Sequence, residues 1–187
     1  MSKLDLKDLS SDKARVKYAC AKQAIAVSQN HPEELYSDFD FFAGLLDSDN
    51  NILKWTGIKV IGNLSKIDNE RKVDRILLSL IGLLSDKTMI TAANAIGALS
   101  EIAKNKPERR QEILKALLKV EKAKYYSKGD LSPECRNVAI GHVIKSFDKF
   151  GEEVFAREDV KAFLKRQTKN TRPKVRQLAE RLLRKTI

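Results

Sequence analysis

Two cysteines, two histidines, four prolines and one tryptophan are all that the 187 residues hold of the types that build disulfide scaffolds, metal centres and turn-rich folds. Cys20 and Cys135 each lie among apolar neighbours at helical spacing and read as reduced, small core residues, not as a bridge or a reactive pair. His31 precedes Pro32 at a turn with no second His or Cys at ligand spacing, and His142 lies inside an apolar helical pattern, where a packed, hydrogen-bonded imidazole is expected. The longest apolar run, Ile76 to Leu84, is nine residues and is flanked by charge; a spanning helix needs roughly 20, so no membrane is expected. The first residues, MSKLDLKDLSSDKARVKY, mix Asp with Lys and contain no apolar stretch, unlike a secretory signal, so a cytoplasmic protein is expected. Phosphate-cradling, dinucleotide and nucleophile-elbow glycine motifs are missing, so no cofactor is expected and the chain reads as non-catalytic.

What is present repeats. Leu53-Lys54-Trp55-Thr56-Gly57, Cys135-Arg136-Asn137-Val138-Ala139 and Val175-Arg176-Gln177-Leu178-Ala179 share one frame: an apolar or small residue, a base, two variable positions, then Gly or Ala. Thr88 to Ala92 and Val16 to Cys20 fit it more loosely. Val60-Ile61-Gly62-Asn63-Leu64-Ser65 is echoed by Ala95-Ile96-Gly97-Ala98-Leu99-Ser100. The small residues of this frame, Cys20, Gly57, Ala92, Ala139 and Ala179, recur at steps of 37, 35, 47 and 40 residues, a spacing that marks stacked helical units. The apolar spacing predicts first helices over 14–28, 51–66, 88–103, 133–149 and 173–185. Second helices are predicted over 33–46, 72–84, 108–124 and 158–168. The 72–84 helix is apolar on nearly every side and is expected to be buried. Pro32, Pro107, Pro133 and Pro173 all fall at helix starts, where the missing N–H costs nothing, and Ser132 is a candidate N-cap. Without a hairpin dipeptide or sustained alternation, no strand is expected. Gly57, Ala92, Ala139 and Ala179 are expected where helices cross closely.

Val175-Arg176-x-x-Ala179, the Gly and Ala endings and the acids Asp47, Asp49 and Asp86 before first helices together resemble the HEAT-repeat family. The resemblance implies an all-α fold, an α-solenoid with a right-handed superhelix, whose second helices line a concave binding face. It covers residues 1–187 as a single domain with repeats near 9–46, 47–84, 86–124, 132–168 and 170–187, and with an insertion at 125–131. Met89 stands where the family has Arg, and an armadillo-like unit is the alternative within the same class.

Charge is distributed unevenly. Residues 31–50 carry six acids and no Lys or Arg, whereas residues 160–187 carry ten bases and one acid. Lys174, Arg181 and Lys185 form one row of the last helix with Arg184 beside it, flanking the apolar stripe. Lys161, Lys165, Arg166 and Lys169 lie opposite Val160, Phe163 and Leu164 on the helix before, and Arg172 joins the two. This set reads either as a solvated outer cap or as a site for an anionic partner. Lys115, Lys119 and Lys122 share a face that Glu108 and Glu112 partly neutralise. The expected function is a scaffold or adaptor binding a protein partner, such as one with an acidic surface. The alternative is a nucleic-acid-binding solenoid using the basic end. A glycosylase-like use of Tyr125, Tyr126 and Asp130 in the insertion is a remoter form of it. Oligomeric state does not follow from the sequence.

Overall fold

Local chemistry sets the element boundaries. In the structure, a computed structural model that describes residues 4–184, the Asn50 carboxamide accepts from the backbone N–H groups of Ile52 and Leu53 at 3.0 and 3.3 Å and starts helix α3, Asn51–Leu64. The Ser132 hydroxyl accepts from the Cys135 N–H at 3.2 Å and starts α7, Pro133–Ser146, as its sequence position suggests. Pro133 opens α7 and Pro173 opens α9, Pro173–Leu183. Pro32 and Pro107 instead open single 3₁₀ turns that lead into the second helices α2, Phe39–Gly44, and α6, Arg110–Leu118. The remaining helices are α1, Ala14–Asn30; α4, Lys72–Gly82; α5, Met89–Asn105; and α8, Glu158–Gln167. Two compact units divide between Leu80 and Ile81.

In the first unit α1 and α2 both pack on α3. Ala24, Phe39, Phe42, Ile58, Val60, Ile61 and Leu64 form a core closed to solvent. Gly57 sits where α3 crosses the end of α2. A Cβ there would lie 2.6 Å from the Phe42 carbonyl oxygen and 2.9 Å from the Leu45 Cβ, so only glycine allows this crossing. The buried Asp68 carboxylate begins α4 by accepting from the N–H groups of Lys72 and Val73 at 2.8 and 3.1 Å. It also accepts from the Tyr36 hydroxyl at 2.8 Å. Burial and that bond to a carboxylate push the Tyr36 pKa up to about 12.

In the second unit the long helices α5, α7 and α9 pack in sequence, with α6 against α5 and α8 against α9. Ala92, Ala95, Ile96, Leu99, Ile102, Val143, Ile144, Phe163 and Ala179 are buried there, and the Phe147 and Phe163 rings meet edge to face at 5.9 Å. Buried serines mark the same place near the end of successive first helices in both units. Ser28 and Ser65 donate to the carbonyls of Ile25 and Gly62, and Ser100 and Ser146 to those of Ile96 and Val143, at 2.5–2.8 Å. The repeat read from the sequence is thus also a repeat of hydrogen bonding.

Four expectations need correction. The helix expected over 33–46 is broken into 3₁₀ turns at Pro32–Glu34 and Tyr36–Asp38, the six-residue α2 and a further turn at Leu45–Asp47. Helix α4 is one-sided: Val73, Leu77 and Leu80 are buried while Leu78 is 74% exposed, because apolar residues on both faces of a helix do not guarantee neighbours on both. A two-residue hairpin does form, β1 Tyr126–Ser127 with β2 Asp130–Leu131. Its turn places Lys128 at φ 54° and Gly129 at φ 93°, and a lysine in the left-handed region hides the usual Asn-Gly signal. Finally, His142 is exposed, not packed in the core.

Candidate functional site

Helices α8 and α9 carry the bases that the sequence singles out, and the structure sorts them by what they already hold. The Arg166 guanidinium donates to both carboxylate oxygens of Glu121, at 3.0 and 2.7 Å, and Gln167 adds a longer bond of 3.3 Å to the same carboxylate. Arg172 pairs with Glu134, and Lys161 with Glu158 at 3.0 Å. Arg176 donates to the carbonyls of Asn170 and Thr171, at 3.0 and 3.3 Å, and so ties α9 to the turn before it. Lys165, Lys169, Lys174, Arg181 and Arg184 are exposed and make no ion pair among the described residues. Lys185 lies outside the described residues. The expected row on α9 is therefore represented by Lys174, Arg181 and Arg184, and four of the other bases, Lys161, Arg166, Arg172 and Arg176, hold their own unit together.

Beside these helices runs a groove of about 720 Å³, bounded by the turn at Glu121 and Lys122, the start of α7 and the end of α8. A ladder of amides and a hydroxyl braces it. Asn170 donates to Asn137 Oδ1 at 3.1 Å and to Gln167 Oε1 at 2.9 Å, and Asn137 donates to Thr171 Oγ1 at 2.8 Å. The Asn170 carboxamide oxygen in turn accepts from the Arg172 N–H at 2.9 Å. The ladder links α7, the last turn of α8 and the approach to α9. Lys122, Arg136 and Lys169 line this groove with no ion-pair partner among the described residues. Of these, sequence reasoning singled out only Lys169. Lys122 reads in sequence as half-neutralised surface, and Arg136 as the basic position of the repeat frame. That frame was the available signal, since it fixes Arg136 at the first turn of α7.

A smaller cavity of about 140 Å³ between α7 and α9 is lined by His142, Lys145, Arg172 and Lys174 among others. Although part of its surface is open to solvent, partial desolvation against the cavity wall lowers the His142 pKa below its ordinary value, and the Lys145 ammonium adds to the effect.

The aromatic and acidic cluster of the insertion is not assembled as an open site. Tyr125 is fully buried and its hydroxyl donates to the Leu84 carbonyl at 2.6 Å. Burial, with the Asp86 charge as a lesser cause, pushes its pKa up to about 12. Tyr126 and Asp130 stand exposed on the hairpin. Among the described residues no group of three or more His, Cys, Asp or Glu side chains is placed to hold a metal ion, and no helix is long and apolar enough to cross a membrane.

No family model matches the chain, and no curated protein sequence does. Solved structures do. A designed armadillo repeat protein in complex with peptide (KR)4 is similar at TM-score 0.57 and 18% identity, over 97% of this chain and 80% of that one. A computationally designed armadillo repeat protein for modular peptide recognition gives 0.55 at 19% identity, with the same two coverages of 97% and 80%. The armadillo-repeats-only protein of Plasmodium falciparum gives 0.50 at 17%, over 100% of this chain and 87% of that one. These neighbours are armadillo proteins, so the HEAT resemblance stands at the coarser level of a helical repeat. The chain has an all-α repeat-solenoid fold.

Proposed function

We propose that the chain is a non-catalytic, HEAT-like repeat scaffold or adaptor that engages a protein partner in the cytoplasm. The observation that carries this reading is the braced polar groove of the second unit, set beside the stacked helices α5, α7 and α9. Its walls are amides and cations that suit recognition of a polar chain, and their mutual hydrogen bonds keep them in place without a ligand. The HEAT-like detail is supported by the alternation of long first helices with shorter second ones. Peptide binding by the designed armadillo protein supports a partner of peptide dimensions.

Selection from a displayed library of random dodecapeptides against the purified chain tests the proposal. A consensus that binds with one-to-one stoichiometry is expected. Failure of any peptide to enrich overturns it.

A second reading has its own observation, the exposed bases Lys165, Lys169, Lys174, Arg181 and Arg184, which make no ion pair among the described residues. If all five meet phosphates, the affinity for duplex DNA or RNA falls with salt at a log–log slope of about −4.5. Fluorescence anisotropy at 50 and 200 mM salt separates the readings (about −4.5 against no measurable binding).

A further inference from the structure

The groove beside α7 and α8 has a definite charge preference. Lys122, Arg136, Arg166 and Lys169 line it together with one carboxylate, Glu121. That carboxylate is already bonded by Arg166 and Gln167, leaving Lys122, Arg136 and Lys169 with no ion-pair partner among the described residues. Glu121 acts inward, as a clamp between the turn after α6 and the end of α8. We propose that this groove binds an extended acidic peptide segment, whose carboxylates meet Lys122, Arg136 and Lys169. The inference rests on the scaffold reading above and adds to it a site and a ligand chemistry.

Three features favour this occupant. The groove volume, about 720 Å³, falls within the roughly 300–1,000 Å³ range of sites that enclose a small ligand, so it takes a few residues of extended chain. Arg136 stands on the first turn of α7 and Lys169 just beyond α8, two elements joined by the Asn137–Asn170–Gln167 ladder. Their separation is therefore fixed before binding, which limits the ordering cost. No aromatic side chain lines the groove, so the stacking that holds single-stranded nucleic acid is missing, while carboxylates spaced along a peptide need only the cations. The ligand charge is opposite to that of the (KR)4 peptide held by the designed armadillo protein.

The test uses the full chain and three fluorescent probes: a (Glu-Ser)4 peptide, a (Lys-Ser)4 peptide of equal length and an oligothymidylate of eight nucleotides. Two charge-matched variants are compared with the parent. One carries Lys122→Gln, Arg136→Gln and Lys169→Gln in the groove. The other carries Lys174→Gln, Arg181→Gln and Arg184→Gln on α9. The expected result is binding of (Glu-Ser)4 but not (Lys-Ser)4, weakened at least tenfold by the groove variant and less than threefold by the α9 variant.

Equal weakening by both variants would show a diffuse charge effect and overturn the proposal. So would oligothymidylate binding more tightly than the acidic peptide with the same dependence on groove residues. Absence of (Glu-Ser)4 binding overturns it as well. In that case the random-peptide selection decides separately whether the scaffold reading survives, because a non-acidic consensus would preserve it. Circular dichroism melting of both variants should match the parent, since the substituted side chains carry no ion pair.

Discussion

The two units are built alike but charged differently. Residues 1–80 contain 12 Lys and Arg against 12 Asp and Glu, whereas residues 81–187 contain 24 against 13, so the whole excess of +11 lies in the second unit. In the first unit the prominent polar groups work on the fold: Asp68 begins a helix and anchors Tyr36, Asn50 begins another, and Arg75 meets Asp40 at 3.2 Å. The second unit has comparable devices, including Arg166 on Glu121 and Arg176 on its own turn, and still carries eleven more cations than anions. Stability needs such groups matched, and a surplus of one sign in a folded unit is more informative about binding than about folding. Packing differs too. Gly57 is wedged against backbone, while a Cβ on Gly141 would meet only the Val175 Cγ2, at 3.4 Å.

The sharpest way to break the comparison is at those glycines. Gly57→Ala should cost about 1–3 kcal/mol, because its methyl meets a carbonyl oxygen that cannot step aside without moving α2. Gly141→Ala should lie within about 1 kcal/mol of the parent, the tight contact being offset by better helix propensity. Urea unfolding of both variants measures this. Equal costs would mean that the two crossings are equally tight.

A second difference appears at high pH. Tyr36 and Tyr125 each have a folded pKa of about 12 against an ordinary 10. The folded state then keeps a proton that the unfolded state gives up, so the stability from each group is intact below pH 10 and is lost as pH rises towards 12. Tyr125→Phe should cost about 1 kcal/mol at neutral pH by orphaning the Leu84 carbonyl. It should also flatten the alkaline loss of the second unit while leaving the first unit's contribution in place. Melting temperatures from pH 7 to 11 check both statements, and an unchanged alkaline slope would contradict them.

The smallest expected effect is a gain. Lys128 and Arg71 are non-glycine residues in the left-handed region, at φ 54° and 58°. Lys128→Asn should stabilise the hairpin by about 0.5 kcal/mol, since Asn tolerates that conformation better. Arg71→Asn should give less, because it also removes the 2.7 Å pair with Asp74. Thermal melts of the two variants rank them.

Much of the fold was legible because helices advertise their faces and their ends locally. Pro133, Pro173 and Ser132 mark starts through backbone chemistry that acts within a few residues, and Gly57 stood out through its place in the repeat. The Lys128 turn was not legible, since a residue forced into an unfavourable conformation by its surroundings leaves no preference in the sequence. Nor was the exposure of Leu78 and His142, which depends on what other helices leave uncovered.

The candidate site was half legible for the same reason. A run of ten bases is visible in sequence. Which of them are held depends on acids far away along the chain, such as Glu121 for Arg166 and Glu134 for Arg172. Arg136 showed the converse, a base read as part of a repeat frame that ends half-buried in the wall of the groove.

The buried serines near the ends of the first helices carry an evolutionary consequence. Ser28, Ser65, Ser100 and Ser146 each donate a hydrogen bond to a carbonyl three or four residues back, and the Ser28 hydroxyl also accepts from Asn63 of the next first helix at 2.9 Å. A donor satisfied within its own module passes unchanged through duplication, whereas an acceptor role such as that of Ser28 towards Asn63 ties adjoining modules together. Change in one module is constrained by its neighbour at such links, as it is where Arg166 of one module is held by Glu121 of another.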